Sequence, residues 1–320
     1  MTLRLLAVHA HPDDESSKGA ATYASYVERG AEVMVVSCTG GEAGDVLNHG
    51  LESRRHAERD LPGLRRLEMR AAQDILGVGH RWLGYVDSGM AREDGSLDWG
   101  TFASIPVEIS VRPLIRLIRS FRPHVLVTYD ENGGYPHPDH IRTHLISLEA
   151  WQSAGTNAYP ELGEPWLISK LYYDRTMNAE RAQSIVDRLA EADAEPTLRG
   201  TLEKVLGWMK EKPSTVTTRL EVGSYFARRD DALRAHASQV APDDEFFFSV
   251  PRELERTSYP YEGYELVASR VPVSIPETDL FAGIDEATTQ DELRTAGDYV
   301  DHAAFDGTAE LSIGLEEASA

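Results

Sequence analysis

The sequence predicts an α/β fold, namely an open and mostly parallel sheet with helices on both faces and a C-terminal elaboration. Short apolar runs typical of buried strands alternate with longer helical stretches over the first half of the chain. The first two apolar runs, residues 3–8 and 32–39, flank one helical stretch. A strand–helix–strand unit of this kind is parallel and right-handed in nearly all proteins, so helices should cover both faces of the sheet.

The individual elements follow from local patterns. Strands are assigned where a few apolar residues run together, and helices where apolar residues recur every three or four positions. The first helix ends at Gly30, because glycine is favoured just past a helix C-terminus. The expected order is strand 3–8, helix 18–29, strand 32–39, helix 64–76, strand 81–83, helix 107–120 and strand 124–128.

Beyond Trp151 the periodic pattern weakens. Proline, glycine and aromatic residues become frequent between Phe246 and Tyr264, which predicts a loop-rich region on the substrate side. The elements expected in this half are a strand at 168–173 and helices at 179–189, 202–210 and 230–238.

The charge balance excludes polyanionic partners. Lysine and arginine number 32 against 53 aspartate and glutamate residues, which gives a formal net charge of −21. Binding to nucleic acid or to an anionic membrane needs a basic surface, so neither is expected. Residues 271–320 hold 12 acidic residues and one arginine, a composition typical of a solvated and partly flexible tail.

The cysteine content and the N-terminus favour a cytoplasmic location. Cys38 is the one cysteine of the sequence, and its place in an apolar run predicts a buried thiol rather than a disulfide or a nucleophile. His9, His11 and Pro12 interrupt the first apolar segment, so no signal-peptide pattern is present. No apolar run approaches the ~18 residues of a membrane span.

Two clusters of ionisable residues follow apolar strands. The chain reads AHPDDE at residues 10–15, after the first strand, and HPDH at residues 137–140, after the strand at 124–128. Such groups are costly to desolvate unless they face a cleft or bind a cation. Because the carboxyl ends of parallel strands meet at one edge of a sheet, the two clusters together predict one metal site. Each cluster alone would also fit a turn or a helix start capped by its aspartate.

The expected metal ligands are His11, Asp14 and His140. A hydrolytic zinc site has three nitrogen or oxygen ligands from the protein and leaves one position for water. His11 and Asp14 are three residues apart and can converge on one point in a turn, while His140 joins them from the second cluster. One Zn²⁺ per chain is therefore expected, with Fe²⁺ as the alternative because it suits the same ligands.

The other residues of the two clusters suit acid–base chemistry. Asp13 is left over as a base that takes a proton from water. His137 is placed to face the substrate from the other side, where a protonated imidazole stabilises an oxyanion or protonates a leaving amine. Asp139 is expected to orient an imidazole. His144, one helical turn after His140, is expected to be packed rather than to be a fourth ligand.

Other functional classes find less support. The loop at residues 40–45 reads GGEAGD, which departs from the Gly-x-Gly-x-x-Gly pattern and holds two acids where phosphate would bind. The sequence has no Walker motif and no Gly-x-Ser-x-Gly elbow, so neither a nucleotide enzyme nor a serine hydrolase is expected. A sugar-binding or metal-storage module without turnover is the alternative outside enzymes, but such a module has no need of a base at Asp13.

With AHPDDE at 10–15 and GGYPHPDH at 133–140, the chain resembles the PIG-L/LmbE family of zinc-dependent N-deacetylases. The resemblance extends over about residues 2–284. It implies one metal-dependent amidase domain at 1–284, with a metal-binding part to about residue 175 and a substrate-side part from about 176 to 284. Residues 285–320 would then form an acidic, flexible tail.

The resemblance also implies roles for single residues. Asp13 matches the general base of the family, and His137 matches its oxyanion-stabilising acid. Asp139 matches the partner that orients this acid, and Tyr135 matches a mobile residue on the oxyanion side. The family's metal ligands fall on the three residues already named, His11, Asp14 and His140.

The sugar contacts of the family fall on Glu42, Arg65 and Asp87. Carboxylate acceptors and guanidinium donors suit the hydroxyls of a polyol. Two alternatives stay open, because Arg65 can pair with Glu68 on a helix surface and Asp87 can be a turn residue before Gly89.

Within the family, the resemblance implies hydrolysis of the amide bond of mycothiol S-conjugates, a small-molecule thiol-conjugate substrate, in detoxification. The alternative is deacetylation of the N-acetylglucosaminyl-inositol precursor. Lys18 bears on this choice, since it either lines the acyl side of the pocket or is an ordinary lysine at a helix start. The sequence assigns no protein partner. Four further segments resemble the members that hydrolyse S-conjugates, namely ESSKGA at 15–20, VDSGM at 86–90, RAHASQ at 234–239 and DLFAGI at 279–284.

Overall fold

A computed structural model describes residues 2–191, 214–285 and 287–296, together with residues 200, 202, 203, 206 and 207. Within these residues seven strands form one sheet, in the order β3-β2-β1-β4-β5-β7-β6. The strands are β1 (Arg4–His9), β2 (Glu32–Thr39), β3 (Gly79–Tyr85), β4 (Val125–Thr128), β5 (Lys170–Asp174), β6 (Thr218–Glu221) and β7 (Tyr261–Ser269).

The sheet is parallel from β3 to β5 and antiparallel beyond β5. β1 lies between β2 and β4 and is parallel to both, with Leu5 opposite Val33 on one side and opposite Val125 on the other. β7 runs antiparallel to β5, and β6 runs antiparallel to β7. The predicted open, mostly parallel α/β sheet is confirmed.

Helices pack against both faces of the sheet. None of the described helices is long and apolar enough to cross a lipid bilayer. The helices with described bounds are α1 (Asp14–Ser17), α2 (Ala20–Glu28), α3 (Arg54–Leu76), α4 (Val107–Ser110), α5 (Arg112–Phe121), α6 (Pro138–Ser153), α7 (Ala179–Glu191), α8 (Phe226–Ala235), α9 (Glu245–Phe248), α10 (Arg252–Ser258) and α11 (Gln290–Ala296).

Two apolar clusters, one on each face of the sheet, form the core. Successive side chains of a strand point to opposite faces. In β1, Leu5 and Ala7 accordingly pack in one cluster with α2, while Leu6 and Val8 pack in the other with α5 and α6. Because both faces of the central strands are buried, these strands are apolar throughout, which is the pattern that made them recognisable. The Cys38 thiol is buried in the second cluster, as predicted.

The first long helix begins earlier than the sequence indicates. α3 starts at Arg54 rather than at residue 64, and its backbone leaves the helical region at Asp60, where φ is −154°. Pro62 has no amide hydrogen and its ring clashes with the preceding turn, so a straight helix cannot run through it. The Asp60 carboxylate accepts the amide of Gly63 at 2.9 Å, as an N-cap does, and restarts the helix after the kink.

The second half of the chain holds more regular structure than the sequence indicates. The region expected to be rich in loops up to Tyr264 contains α9, α10 and the start of the nine-residue strand β7. The antiparallel pairing of β6 with β7 joins distant segments, which a local pattern does not show. α8 ends at Ala235, three residues before the expected end. Most of the expected helix at 202–210 and most of the expected tail at 285–320 lie outside the described residues. The described start of that tail contains α11, where Gln290 Oε1 accepts the Leu167 amide at 2.6 Å and Leu293 is buried against Leu167 and Val271.

The central position of β4 gives a test of the fold. The Leu126 side chain is fully buried in the second apolar cluster, whereas Leu67 on α3 is 54% exposed. We expect Leu126→Ala to lower the free energy of unfolding by about 2–5 kcal/mol, because a buried leucine leaves a cavity when it is truncated. Leu67→Ala is the matched control and should change it by no more than about 0.5 kcal/mol. Urea denaturation followed by circular dichroism measures both, and equal effects would contradict the assigned core.

Candidate active site and metal centre

The two ionisable clusters meet at the carboxyl ends of β1 and β4. The first cluster forms the turn after β1 and continues into α1. The second lies at the start of α6, where His137 occupies the N-cap position in an extended conformation and Pro138 begins the helix. Proline is favoured at the first helical position, because the amide that it lacks would have no helical partner there. The adjacency of the two strands brings together segments that are far apart in the chain.

His11, Asp14 and His140 form a buried group that could hold a cation. One potential ligand atom from each lies within 4.8 Å of the others. His140 Nε2 is 3.4 Å from Asp14 Oδ2, and His11 Nδ1 is 3.7 Å from the same oxygen. The amide of His11 also donates to Asp14 Oδ2 at 3.0 Å, which fixes this carboxylate in the turn. All three residues are buried.

The hydrogen bonding and protonation of His140 fit a metal ligand. Its Nδ1 lies 2.9 Å from the Gly133 carbonyl oxygen and, as a donor to it, leaves the lone pair on Nε2. Nε2 is buried and has no hydrogen-bond partner among the described residues. Burial lowers the pKa of His140 to about 3, which leaves the Nε2 lone pair free for a cation. Burial alone would also lower the pKa of His11, but the carboxylates of Asp139 and Asp87 raise that pKa to about 10, so a cation bound at His11 displaces a proton. An unpartnered buried nitrogen beside a carboxylate is accounted for by a divalent cation.

The other oxygen of Asp14 is bound by Lys18. Lys18 Nζ donates to Asp14 Oδ1 at 2.6 Å, and its side chain is 18% exposed. Burial alone would lower the pKa of Lys18, but the neighbouring carboxylates, Asp14 before Asp13 and Asp174, together raise it. Lys18 therefore keeps its charge next to a candidate ligand. It is the residue that follows α1 and does not lie inside a regular helix.

Asp13 lies beside the metal group and is held by Arg65. Arg65 Nη2 donates to Asp13 Oδ2 at 2.9 Å and to the Pro12 carbonyl, while Nη1 donates to the Gly41 carbonyl. Burial raises the pKa of Asp13, and Arg65 partly opposes this shift. The alternative of a surface pair between Arg65 and Glu68 is wrong, because both side chains are buried and Glu68 binds the Ser238 amide and hydroxyl instead.

His137 and Asp139 lie on the opposite side of His11. The His137 ring is edge-on to the His11 ring, with centroids 4.8 Å apart, and its Nδ1 accepts the Asp139 amide at 3.2 Å. The Asp139 carboxylate points elsewhere, since Oδ2 is 3.3 Å from His11 Nε2 and accepts the Ser88 amide at 3.0 Å. Asp139 thus orients His11 by its side chain and His137 by its backbone. Burial and the nearby His11 lower the pKa of His137.

Asp87 and Glu42 tie two loops together beside His11. Asp87 Oδ1 lies 3.6 Å from His11 Nε2 and accepts the Gly89 amide at 2.8 Å. Asp87 is therefore both a turn residue and a neighbour of the metal group. Glu42 Oε2 accepts the Asp87 amide at 3.0 Å, and Asp87 Oδ2 accepts the Ala43 amide at 3.3 Å. Burial alone would raise the pKa of Asp87, but His11 lowers it.

Tyr135 stands at the open side of the site. Its ring is 47% exposed, and its centroid lies 4.4 Å from that of His140 and 6.1 Å from that of His137. The loop that holds it contains Gly133 and Gly134, both with positive φ, 70° and 76°. At Gly133 a Cβ atom would lie 2.4 Å from the His140 Cβ, so only glycine fits this close approach.

The structure places further residues at the site that the sequence did not put among the catalytic, substrate-binding or metal-binding residues. Tyr129, the residue after β4, stacks on the His140 ring with centroids 4.6 Å apart, and its hydroxyl accepts the Ala10 amide. His9 Nδ1 lies 3.1 Å from the same hydroxyl. Glu15 and His236 form a fully buried pair, with His236 Nε2 2.8 Å from Glu15 Oε1. Strand-end position was the signal for Tyr129, and the segment RAHASQ was the signal for His236.

An open α/β sheet with a buried His–Asp–His group, a neighbouring carboxylate and a third histidine at its strand ends defines a candidate metal-dependent hydrolase. The sequence profile of the PIG-L family, described as GlcNAc-PI de-N-acetylase, matches residues 6–151. The chain is 47% identical over 289 residues to a mycothiol S-conjugate amidase of Streptomyces coelicolor, covering 88% of this chain and 97% of that protein. The chain belongs to the PIG-L family and is a hydrolase that acts on amides.

A second relative agrees with this family, and two solved structures share the fold. A 1D-myo-inositol 2-acetamido-2-deoxy-alpha-D-glucopyranoside deacetylase of Streptomyces avermitilis is 39% identical over 289 residues, covering 88% of this chain and 97% of that protein. An N,N'-diacetylchitobiose deacetylase of Pyrococcus horikoshii has the same fold, with a TM-score of 0.55 at 19% identity over 82% of this chain and 83% of that one. A conserved protein of Thermus thermophilus also has the same fold, with a TM-score of 0.52 at 21% identity, covering 85% of this chain and 97% of that one.

The geometry of the His–Asp–His group predicts which histidines bind the cation. We expect His140→Ala and His11→Ala to weaken the binding of a divalent cation, because each leaves an incomplete ligand set. His144→Gln is the matched control. His144 is also buried on α6, but its Nδ1 contacts the Tyr129 carbonyl oxygen at 3.1 Å, so this variant should keep its cation. Elemental analysis after dialysis measures the content, and full occupancy in both alanine variants would refute the assignment.

Proposed function

We propose that this enzyme hydrolyses the amide bond of mycothiol S-conjugates. The products are glucosaminyl-inositol and an N-acetylcysteine S-conjugate, and the role is detoxification of electrophiles and antibiotics. The observation that supports this reaction is the 47% identity, over nearly the full length of both chains, to an amidase of that name. The buried ligand group with Asp13 beside it supports an enzyme rather than a binding module, since a binding module needs no base.

The residues proposed to hold the catalytic Zn²⁺ are His11, Asp14 and His140, which each offer one ligand atom within 4.8 Å of the other two. Fe²⁺ suits the same nitrogen and oxygen ligands. When bound, the cation polarises the amide carbonyl and lowers the pKa of water. Lys18 and Asp139 keep the ligands in place, because Lys18 binds the outer oxygen of Asp14 and Asp139 binds the far nitrogen of His11. We assign residues 1–284 to the catalytic domain.

Asp13 is the proposed general base. Arg65 fixes the Asp13 carboxylate through Oδ2, so its orientation toward the attacking water is set before substrate binds. The raised pKa of Asp13, caused by burial, makes it a better proton acceptor than an exposed aspartate. His137 takes the complementary role and donates to the developing oxyanion and the leaving amine. Tyr135 stands next to it on the open side.

The proposed sugar contacts are Glu42, Arg65 and Asp87. Glu42 and Asp87 lie on two loops that the hydrogen bonds between Glu42, Ala43 and Asp87 hold together. Arg65 reaches the first of these loops from α3 and donates to the Gly41 carbonyl. Arg65 and Asp87 also contact Asp13 and His11, so a hydroxyl bound by them lies next to the reacting groups. Arg65 and Asp87 would therefore bind the sugar and also position Asp13 and His11.

Deacetylation of the N-acetylglucosaminyl-inositol precursor is the second candidate reaction, since a deacetylase of the corresponding inositol glycoside is 39% identical to the chain. Both reactions break an amide on the same amino sugar, and they differ in the acyl group. We expect the wild-type enzyme to turn over an S-conjugate with a higher kcat/KM than the acetylated precursor. Parallel steady-state assays of both substrates measure this, and a higher kcat/KM for the precursor would reverse the choice.

Lys18 is the residue proposed to favour the larger acyl group. We expect Lys18→Ser to reduce kcat/KM for the S-conjugate about 5- to 30-fold more than for the acetylated precursor, because only the conjugate reaches past the metal group. Lys18→Arg is the matched control, since it keeps a charge opposite Asp14. Equal losses on both substrates would mean that Lys18 acts only through its contact with Asp14.

Removal of the base should separate chemistry from metal binding. We expect Asp13→Ala to keep its divalent cation yet to lose about 10²- to 10⁴-fold in kcat, because the base is lost and the ligands remain. The control is Asp94→Ala, which removes an exposed carboxylate from a surface loop and should have wild-type turnover. Steady-state kinetics with elemental analysis measures both quantities, and loss of the cation together with activity would make Asp13 a ligand.

A further inference from the structure

The segment His236–Gln239, which follows α8, reaches the site from the second half of the chain. His236 and Ser238 are fully buried. Ser238 binds Glu68 of α3, and the Ala237 carbonyl accepts the side-chain amide of Asn48 at 2.9 Å. His236 contacts Glu15, the last residue of the first ionisable cluster. This segment therefore contacts three separate parts of the chain, at Glu15, Asn48 and Glu68. The contact of His236 with Glu15 is the one that connects it to the proposed base, Asp13.

Glu15 links His236 to the backbone of Asp13. The Glu15 side chain is fully buried, and its Oε1 faces His236 Nε2 at 2.8 Å. Its Oε2 accepts the amide of Asp13 at 3.0 Å. One carboxylate thus receives a donor from the second half of the chain on one oxygen and the amide of the proposed base on the other. Ser16 completes its partners through a hydroxyl donated to Oε1.

The backbone of Asp13 needs such support. Its φ is 107°, a left-handed conformation that residues with a side chain rarely adopt. A conformation of this kind persists only where the surroundings hold it. Arg65 holds the carboxylate and the Pro12 carbonyl, and Glu15 holds the amide. The direction of the Asp13 side chain therefore depends on the Glu15 carboxylate staying where it is.

We propose that His236 is a positioning residue for the base Asp13 and acts through Glu15. The imidazole fixes the Glu15 carboxylate, which in turn fixes the left-handed turn at Asp13. The effect on turnover rests on the proposed function, whereas the effect on the Asp13 amide does not. If His236 were only a packing residue, its removal would lower stability without changing the turn at Asp13 or the step that Asp13 serves.

The test compares two substitutions of His236 with a control. His236→Leu removes the donor, whereas His236→Gln keeps a side-chain amide that can reach the Glu15 carboxylate. The control is Tyr26→Phe, which removes a buried hydroxyl that donates to Asp279 at 2.8 Å and accepts the Leu280 amide at 2.7 Å, away from the site. Thermal unfolding and metal content of all three variants establish that each is folded and holds its cation.

Hydrogen exchange of the segment at residues 10–17 is the readout independent of activity. We expect His236→Leu to speed exchange in this segment at least about tenfold, because the Asp13 amide loses its fixed acceptor. His236→Gln should restore most of the protection, and Tyr26→Phe should leave it unchanged. Unchanged exchange in His236→Leu would overturn the inference, even if the enzyme proved to act on a different amide.

Turnover gives the second readout. We expect His236→Leu to lower kcat about 10- to 100-fold with little change in KM, and His236→Gln to recover most of this loss. In an Asp13→Asn background the same substitution should cause no further loss, because the step that it supports is already missing. Losses that multiply in the double variant, or a loss confined to KM, would overturn the inference. Absence of amide turnover in the wild type would instead refute the proposed function.

Discussion

The pairing of β1 with β4 is the constraint on which the site depends. The chain passes from β1 through β2 to β3 on one side and then returns to place β4 on the other side of β1. Loops that leave neighbouring strands in opposite directions open a crevice at the carboxyl ends. His11 and Asp139 are 128 residues apart in the chain, yet their side chains are 3.3 Å apart in this crevice. Every contact between the two clusters follows from the register of these two strands.

A second physical requirement is the compensation of buried negative charge. Asp14 and Asp139 are almost entirely excluded from solvent, and a lone carboxylate in that position would be strongly destabilised. The structure meets this cost with cationic and amide donors. Lys18 and the His11 amide bind the two oxygens of Asp14, and the Ser88 amide binds Asp139. Asp14 is thus fixed in place before any ligand arrives, with Oδ2 3.4 Å from the Nε2 atom of His140.

The sequence was sufficient for the parallel half of the sheet, because strands buried on both faces are apolar throughout and the polar clusters mark where they end. It was also sufficient to bring His11, Asp14 and His140 together. The kink at Asp60 depends on a side-chain cap and on Pro62, and the pairing of β6 with β7 joins residues at least forty positions apart, so neither follows from periodicity. The contacts of Lys18 with Asp14 and of Asp139 with His11 could not be predicted without the three-dimensional structure. In the sequence, several carboxylates lie close enough to Lys18 and to His11 to be the partner of either.

The close approach of Gly133 to His140 also matters for changing this enzyme by design. The Gly133 carbonyl selects the nitrogen that carries the His140 proton, and the missing Cβ lets the loop pass the helix. A library that varied Gly133 would therefore displace His140, a candidate ligand. Leu47 and Met90 offer a better starting point, because they are 61% and 68% exposed on the loops that Glu42 and Asp87 join. Diversity placed there leaves the histidine, and with it the chemistry, untouched.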